Sequence, residues 1–240
     1  TGDQQEFVEI LNELREGARS RRLADYLNSR VRGHDLDEEG VRLFPRRLQA
    51  DEFNQFRLSQ IAHELVEIPS IYMGDEKQVE ALKKSAPVGE TIRLKIGCMV
   101  MLIQNDPNKR WVNGTIGEVV DIQSDCLRVR KKNGRDVKVD KSMFSLLDAE
   151  GKVRASVIQF PVALAYASTI HKSQGATLDE IWCDLRNLWE PGHAYVAVSR
   201  LTHAKGLNLI GWTPRSIITD PQVVRFYSGS TNPSDSIHHQ

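Results

Sequence analysis

The order of apolar runs in the last third of this 240-residue chain constrains its fold more than any other feature. Val162 to Tyr166 is apolar without alternation, the pattern of a strand buried on both faces of an α/β sheet. The sequence then predicts a short helix, a strand at about 180–185, a helix at 191–202 and a strand at 206–210. A β-α-β-α-β order of this kind predicts a mostly parallel sheet with helices on both sides.

The first half carries more helix. Phe7, Ile10, Leu11 and Leu14 share one face of a helix over 3–16, with Asp3 as its N-cap and Gly17 as its stop. A second helix is expected at about 19–31, with Leu23, Tyr26 and Leu27 on one side, and a loop at 32–40. Val41 to Phe44 reads as a strand closed by Pro45, followed by a helix at about 50–64 packed through Phe53, Phe56, Ile61 and Leu65. Val66 to Tyr72 reads as one strand and 76–85 as a short helix. Phe44, Phe53, Phe56 and Phe160 are assigned to the core.

From Thr91 to Ile103 the pattern is β, interrupted by Gly97. Short strands at 116–122, 126–130 and 137–139 follow at hairpin spacing, and Asn133-Gly134 is a strong hairpin turn signal. Residues 106–156 therefore read as a small antiparallel barrel or sheet inserted in a larger domain, with Asn113-Gly114 and Gly117 shaping a turn at its mouth. Residues 228–240 read as a disordered tail.

Composition excludes more than it selects. Lys plus Arg equals Asp plus Glu at 32 each, so any nucleic-acid case must rest on local charge. The insertion is locally basic, with nine Lys or Arg against five Asp or Glu between Lys109 and Lys141. Cys98, Cys126 and Cys183 have no metal or disulfide spacing, which points to a reducing compartment and an intracellular protein, cytoplasmic or nucleoid if bacterial. No two histidines have ligand spacing, so no metal site is assigned. No apolar run approaches the roughly 20 residues of a membrane span.

Three segments bear a family pattern, and a fourth resembles it too. Thr169-Ile170-His171-Lys172-Ser173-Gln174-Gly175-Ala176-Thr177-Leu178-Asp179 resembles motif V of superfamily-one helicases in its Pif/RecD form, and Ala194-Tyr195-Val196-Ala197-Val198-Ser199-Arg200 resembles motif VI. Gly97 to Gly117 resembles the stretch leading into that family's small barrel, and Asp3 to Gly17 the segment after motif IV. The chain contains neither a G-x-x-x-x-G-K-[ST] sequence nor a paired-acidic magnesium motif, and motif IV's arginine would fall just before Thr1.

The resemblance implies an α/β fold: a RecA-like parallel sheet flanked by helices, with an inserted small antiparallel β-barrel of Src-homology-three type. On that pattern 1–105 opens the second motor domain, 106–156 is the barrel, 157–227 completes the domain and 228–240 is the tail. The implied function is the C-terminal part of an ATP-dependent 5′-3′ DNA helicase, inactive as an ATPase alone. ATP and Mg2+ would be bound mainly by an upstream RecA-like domain of the same chain, with single-stranded or forked DNA as partner and a monomer as the working state. A non-catalytic nucleic-acid-binding or docking module on a helicase-derived fold is the alternative.

The site residues follow from the same motifs. Arg200 is implied as an arginine finger, because a planar guanidinium can meet charge spread over the transferred phosphoryl oxygens. Gln174, Gly175 and Thr177 are implied on the nucleotide side, where a glycine lets backbone approach a phosphate. Thr169, His171, Lys172 and Ser173 are donors expected at the start of a helix, suited to a strand phosphate. Arg128, Arg130 and Lys131, beside the hairpin turn, either attract a strand or protect an edge.

Overall fold

A computed structural model describes residues 2–33 and 39–222; the expected tail at 228–240 and part of the loop at 32–40 lie outside the described residues. Along the chain run α1 (Gly2–Glu16), α2 (Arg21–Ser29), β1 (Val41–Phe44), α3 (Arg47–Ser59), β2 (Val66–Pro69), β3 (Ile71–Gly74) and α4 (Glu76–Ser85). Then come β4 (Thr91–Leu94), β5 (Met99–Leu102), β6 (Ile116–Ile122), β7 (Cys126–Lys131), β8 (Asp136–Asp140), β9 (Ser142–Leu147) and β10 (Val153–Gln159). The order ends with β11 (Val162–Leu164), β12 (Ala167–Thr169), β13 (Ile181–Asp184), α5 (His193–Val198) and β14 (Leu207–Gly211). The chain divides into two compact units, Thr1–Pro45 with Asp179–Gln240, and Arg46–Leu178. No described helix is long and apolar enough to cross a membrane.

In the first unit, β1, β13 and β14 form the expected parallel sheet, with β13 in the middle. Ile181, Trp182 and Cys183 are all buried, as the central strand of such a sheet requires. Arg42 lies 5.6 Å over the Trp182 ring, and the indole N–H donates to Glu39 O at 2.9 Å. α1 buries Phe7, Ile10 and Leu14 and packs against α5. Its helix begins at Gly2, so Asp3 falls in the first turn rather than at the cap. α2 is capped by Ser20, whose Oγ accepts from Leu23 N at 2.9 Å.

In the second unit, β11, β5, β6, β7 and β8 make a five-stranded antiparallel sheet, and β3, β10 and β9 a second sheet. Leu94, Val100, Leu102, Val119, Leu127, Val129 and Phe160 fill the core of the first. Asn133-Gly134 closes the β7–β8 hairpin, with Gly134 at φ 77° and its N–H donating to Lys131 O at 2.9 Å. The second sheet packs Tyr72, Phe144 and Val157 against Leu82 of α4.

Several expectations fail, each for a local reason. Residues 66–72 are two strands in two sheets, β2 on β4 and β3 on β10. The chain breaks at Ser70, whose N–H donates to Glu90 O at 2.8 Å and whose hydroxyl donates to Gly89 O at 2.7 Å. The run at 162–166 is not a doubly buried strand: β11 lies antiparallel to β5 with Ala163 exposed. Its uniform apolarity comes from two environments, since Val162 fills the β core while Tyr166 is buried beyond the strand's end and accepts from Met99 N at 3.0 Å. Phe56 is 52% exposed because α3 buries its Ala50 and Leu58 side instead, and Leu65 is 43% exposed because the helix ends at Ser59, before it. α5 covers only His193–Val198, since it starts after Pro191 and a left-handed Gly192.

Candidate nucleic-acid groove and the arginine after α5

A groove of about 710 Å³ runs across the second unit. Segments distant in sequence make it: the N-terminal turns of α3, the segment from Lys84 to Arg93, the paired strands β5 and β11 with Asn113 nearby, and β12 with the turns after it. Asn54 of α3 fixes the last of these by clasping Ala167 on both sides, Nδ2 donating to the carbonyl and Oδ1 accepting from the N–H, each at 2.8 Å. Arg47, Lys84, Arg93 and Lys172 bring four cations to the lining, and Thr169 and Gln174 add polar groups. Arg47 pairs with Asp51 at 3.2 Å and Arg93 with Glu67 at 2.6 Å. Both pairs are largely exposed and hold their cations loosely. Lys172 has an exposed side chain, yet burial of its surroundings lowers its pKa from the usual lysine range. Arg47 adds to that lowering, and Asp51 opposes it.

No helix follows β12, so the helix N-terminus expected for Thr169 to Ser173 is absent. Residues 170–175 are turns instead. Side chains compete here for the backbone bonds a helix would need. Thr169 Oγ1 accepts from Lys172 N at 3.0 Å, and Ser173 Oγ donates to Ile170 O at 2.7 Å. Gly175 closes the series at φ 79°. Ser173 is only 1% exposed, so its expected strand contact is corrected to a structural bond that holds the turn. Thr169 is 7% exposed, with its edge reaching the groove. His171, Gly175 and Thr177 are exposed on the same loop but do not line the groove.

Arg128, Arg130 and Lys131 sit apart, on the β7–β8 hairpin. Arg128 pairs with Asp121 at 3.2 Å, Arg130 with Asp136 at 2.9 Å, and Lys131 Nζ donates to Arg110 O at 2.8 Å. Arg200 belongs to the first unit, just beyond α5, and is half-buried. Its Nε donates to Val196 O at 3.0 Å and its Nη2 to Ser199 Oγ at 2.8 Å. Two of the guanidinium's five donors are thus spent on bracing it against its own helix.

Sequence reasoning missed Arg47, Asn54, Lys84 and Arg93, which carry no motif and meet Lys172 only through the fold. Asn113 also lines the groove, and its Asn-Gly turn was the one local signal available.

No family model matches the chain. It is 57% identical over 221 residues to the ATP-dependent DNA helicase Pif1 of Bdellovibrio bacteriovorus, covering 92% of this chain and 50% of that protein. It is 29% identical over 231 residues to human ATP-dependent DNA helicase PIF1, covering 93% of this chain and 36% of that one. The chain therefore spans about half the length, or less, of these relatives. Among solved structures, Pif1 from Bacteroides sp in complex with ADP-AlF4 superposes with a TM-score of 0.80 at 26% identity, over 94% of this chain and 53% of that one. Bacteroides Pif1 bound to ssDNA gives 0.65 at 26% identity, over the same shares.

Proposed function

We propose, from the premise that this chain is a Pif1-like helicase segment, that it is the strand-binding and finger-bearing half of an ATP-driven DNA translocase. The supporting observation is the groove: Thr169, Lys172 and Gln174, read from one motif, share a trough with three more cations contributed by distant segments. Cations and short polar donors along a trough suit a sugar-phosphate backbone and carry no base readout, so binding is indifferent to sequence. Single-stranded or forked DNA is the substrate class, read in the 5′-3′ sense the family resemblance implies. The five-stranded sheet β11-β5-β6-β7-β8 serves as the core of the Src-homology-three-like insertion.

ATP with Mg2+ supplies the phosphoryl-transfer step when carried by a second RecA-like domain of the same polypeptide, working as a monomer. Arg200 fits a finger role. Its stem is half-buried, and its head is oriented by Val196 O and Ser199 Oγ with donors to spare. A guanidinium held in advance meets developing γ-phosphate charge without first being ordered. Gly175 and Thr177 take the nucleotide side of their loop, Gln174 at its start lines the strand groove, and His171, exposed beside the groove, joins Thr169 and Lys172 toward the strand.

The test is Arg200→Ala in the full-length protein. ATPase should fall by about a thousandfold or more, the scale of finger removal, while binding of a deoxythymidine oligonucleotide stays within about twofold. Surviving ATPase would remove the finger assignment. Loss of strand binding together with ATPase would make Arg200 a strand contact, and a full-length protein that binds the oligonucleotide but hydrolyses no ATP would favour a non-catalytic binding module.

A further inference from the structure

The Asn113-Gly114 turn is built tightly onto the loop after β12. It hangs from β5, with Gly114 N donating to Leu102 O at 2.9 Å and Asn113 N to Asn105 Oδ1 at 2.8 Å. From there Asn113 reaches the loop twice. Its Nδ2 donates to Gly175 O at 3.3 Å, and its carbonyl accepts from Thr177 N at 3.3 Å. Gly114 has φ 97°, and a Cβ on it would sit 2.6 Å from Thr177 N, so the backbones meet where no side chain fits. The base of the turn is rigid: Asp106, 5% exposed, takes two bonds from Arg110 at 2.8 Å, and Arg110 lies 4.6 Å over the Trp111 ring.

Asn113 therefore has two neighbours of different kinds. One is the Gly175–Thr177 segment; the other is the groove, which it lines beside Gln174, Lys172 and Thr169. An amide carries two N–H donors. One holds Gly175, which leaves one for a strand phosphate lying in the groove.

We propose that Asn113 is a positioning residue through which a strand in the groove sets the conformation of the Gly175–Thr177 loop, and with it the rate of ATP hydrolysis. This rests on the functional reading above. A phosphate that engages the Asn113 amide biases the same side chain that fixes Gly175 O, so the two sites share one element. Coupling requires an element whose arrangement both sites bias, and the Asn113 side chain is the element that the two sites share.

The experiment uses the full-length protein, a deoxythymidine oligonucleotide and ATP. Asn113→Ala should lower the strand-stimulated kcat by about tenfold, within the range such couplings carry. The KM for ATP and the Kd for the oligonucleotide should stay within about threefold, and Asn113→Gln, which keeps the amide, should recover part of the loss. Hydrogen exchange provides a second readout. In the wild type the oligonucleotide should slow exchange at the Thr177 amide; in Asn113→Ala that slowing should vanish while slowing around Lys172 persists. A Kd that rises in step with the lost stimulation makes Asn113 an ordinary strand contact and overturns the proposal. Unchanged stimulation in Asn113→Ala, when the wild type binds the strand, overturns it too and leaves the strand-binding reading standing. A wild type that binds no oligonucleotide overturns both.

Discussion

Two basic regions of the second unit differ in shape more than in charge. The β7–β8 hairpin carries Arg128, Arg130 and Lys131, and the groove carries Arg47, Lys84, Arg93 and Lys172. In both, some cations are paired with exposed carboxylates. The hairpin cations lie within four residues of one strand, whereas the groove gathers its cations from three separate segments around a concave floor. A cleft lined mostly by one sign of charge, here four cations against Asp51, focuses field where a convex hairpin does not. Local charge counts along the sequence are blind to that difference, and they pointed to the hairpin.

The largest effect that separates the two regions is expected in strand affinity. Arg93→Ala with Lys172→Ala should weaken oligonucleotide binding by about tenfold or more at moderate salt, since two phosphate contacts are lost. Arg128→Ala, Arg130→Ala and Lys131→Ala together should change it less than threefold, a bound set by the small energies of exposed ion pairs. Equal losses from the two variants would erase the contrast and return the hairpin to the binding surface. A finer measure is the salt dependence. The slope of log K against log salt should fall by about two for the groove variant and stay unchanged for the hairpin variant. Titrations at several salt concentrations decide it.

The same contrast tells what the sequence could and could not carry. Features set within a few residues were legible: the α1 face of Phe7, Ile10 and Leu14, the Asn133-Gly134 turn, and the parallel strands at 181–184 and 207–211. Short apolar runs misled wherever the burial came from two different neighbours, as at 162–166 and 66–72. The motif at the end of β12 put Thr169, His171, Lys172 and Ser173 on the strand side and Gln174 on the nucleotide side, yet the residues that line the groove are Thr169, Lys172 and Gln174, because residue order cannot tell which hydroxyl turns inward to bond Ile170 O. Arg47 and Arg93 were invisible for a plainer reason. They are 46 residues apart in sequence and become neighbours of Lys172 only when the second unit folds.

The smallest effect lies in how acid loosens the two regions. Asp106, under the Asn113 turn, is held at a pKa of about 2, first by its bonds from the Arg110 side chain. Asp121 in the hairpin region is lowered as well, first by Gln123 and then by Arg128, but its side chain is 30% exposed where that of Asp106 is 2%. A depressed folded-state pKa contributes stability above the unfolded value, about 3.9 for aspartate, and that contribution is lost as pH falls through the folded value. The Asp106–Arg110 bonds are therefore fully present above about pH 4 and disappear towards about pH 2. Amide exchange followed between pH 5 and 2 should show the hairpin around Asp121 loosening first and the 105–115 turn last. Asp106→Asn should abolish the late step, because a neutral amide at that position has no proton to gain. An Asn113 turn that opened together with the hairpin would mean that the Asp106–Arg110 pair does not brace the groove's edge.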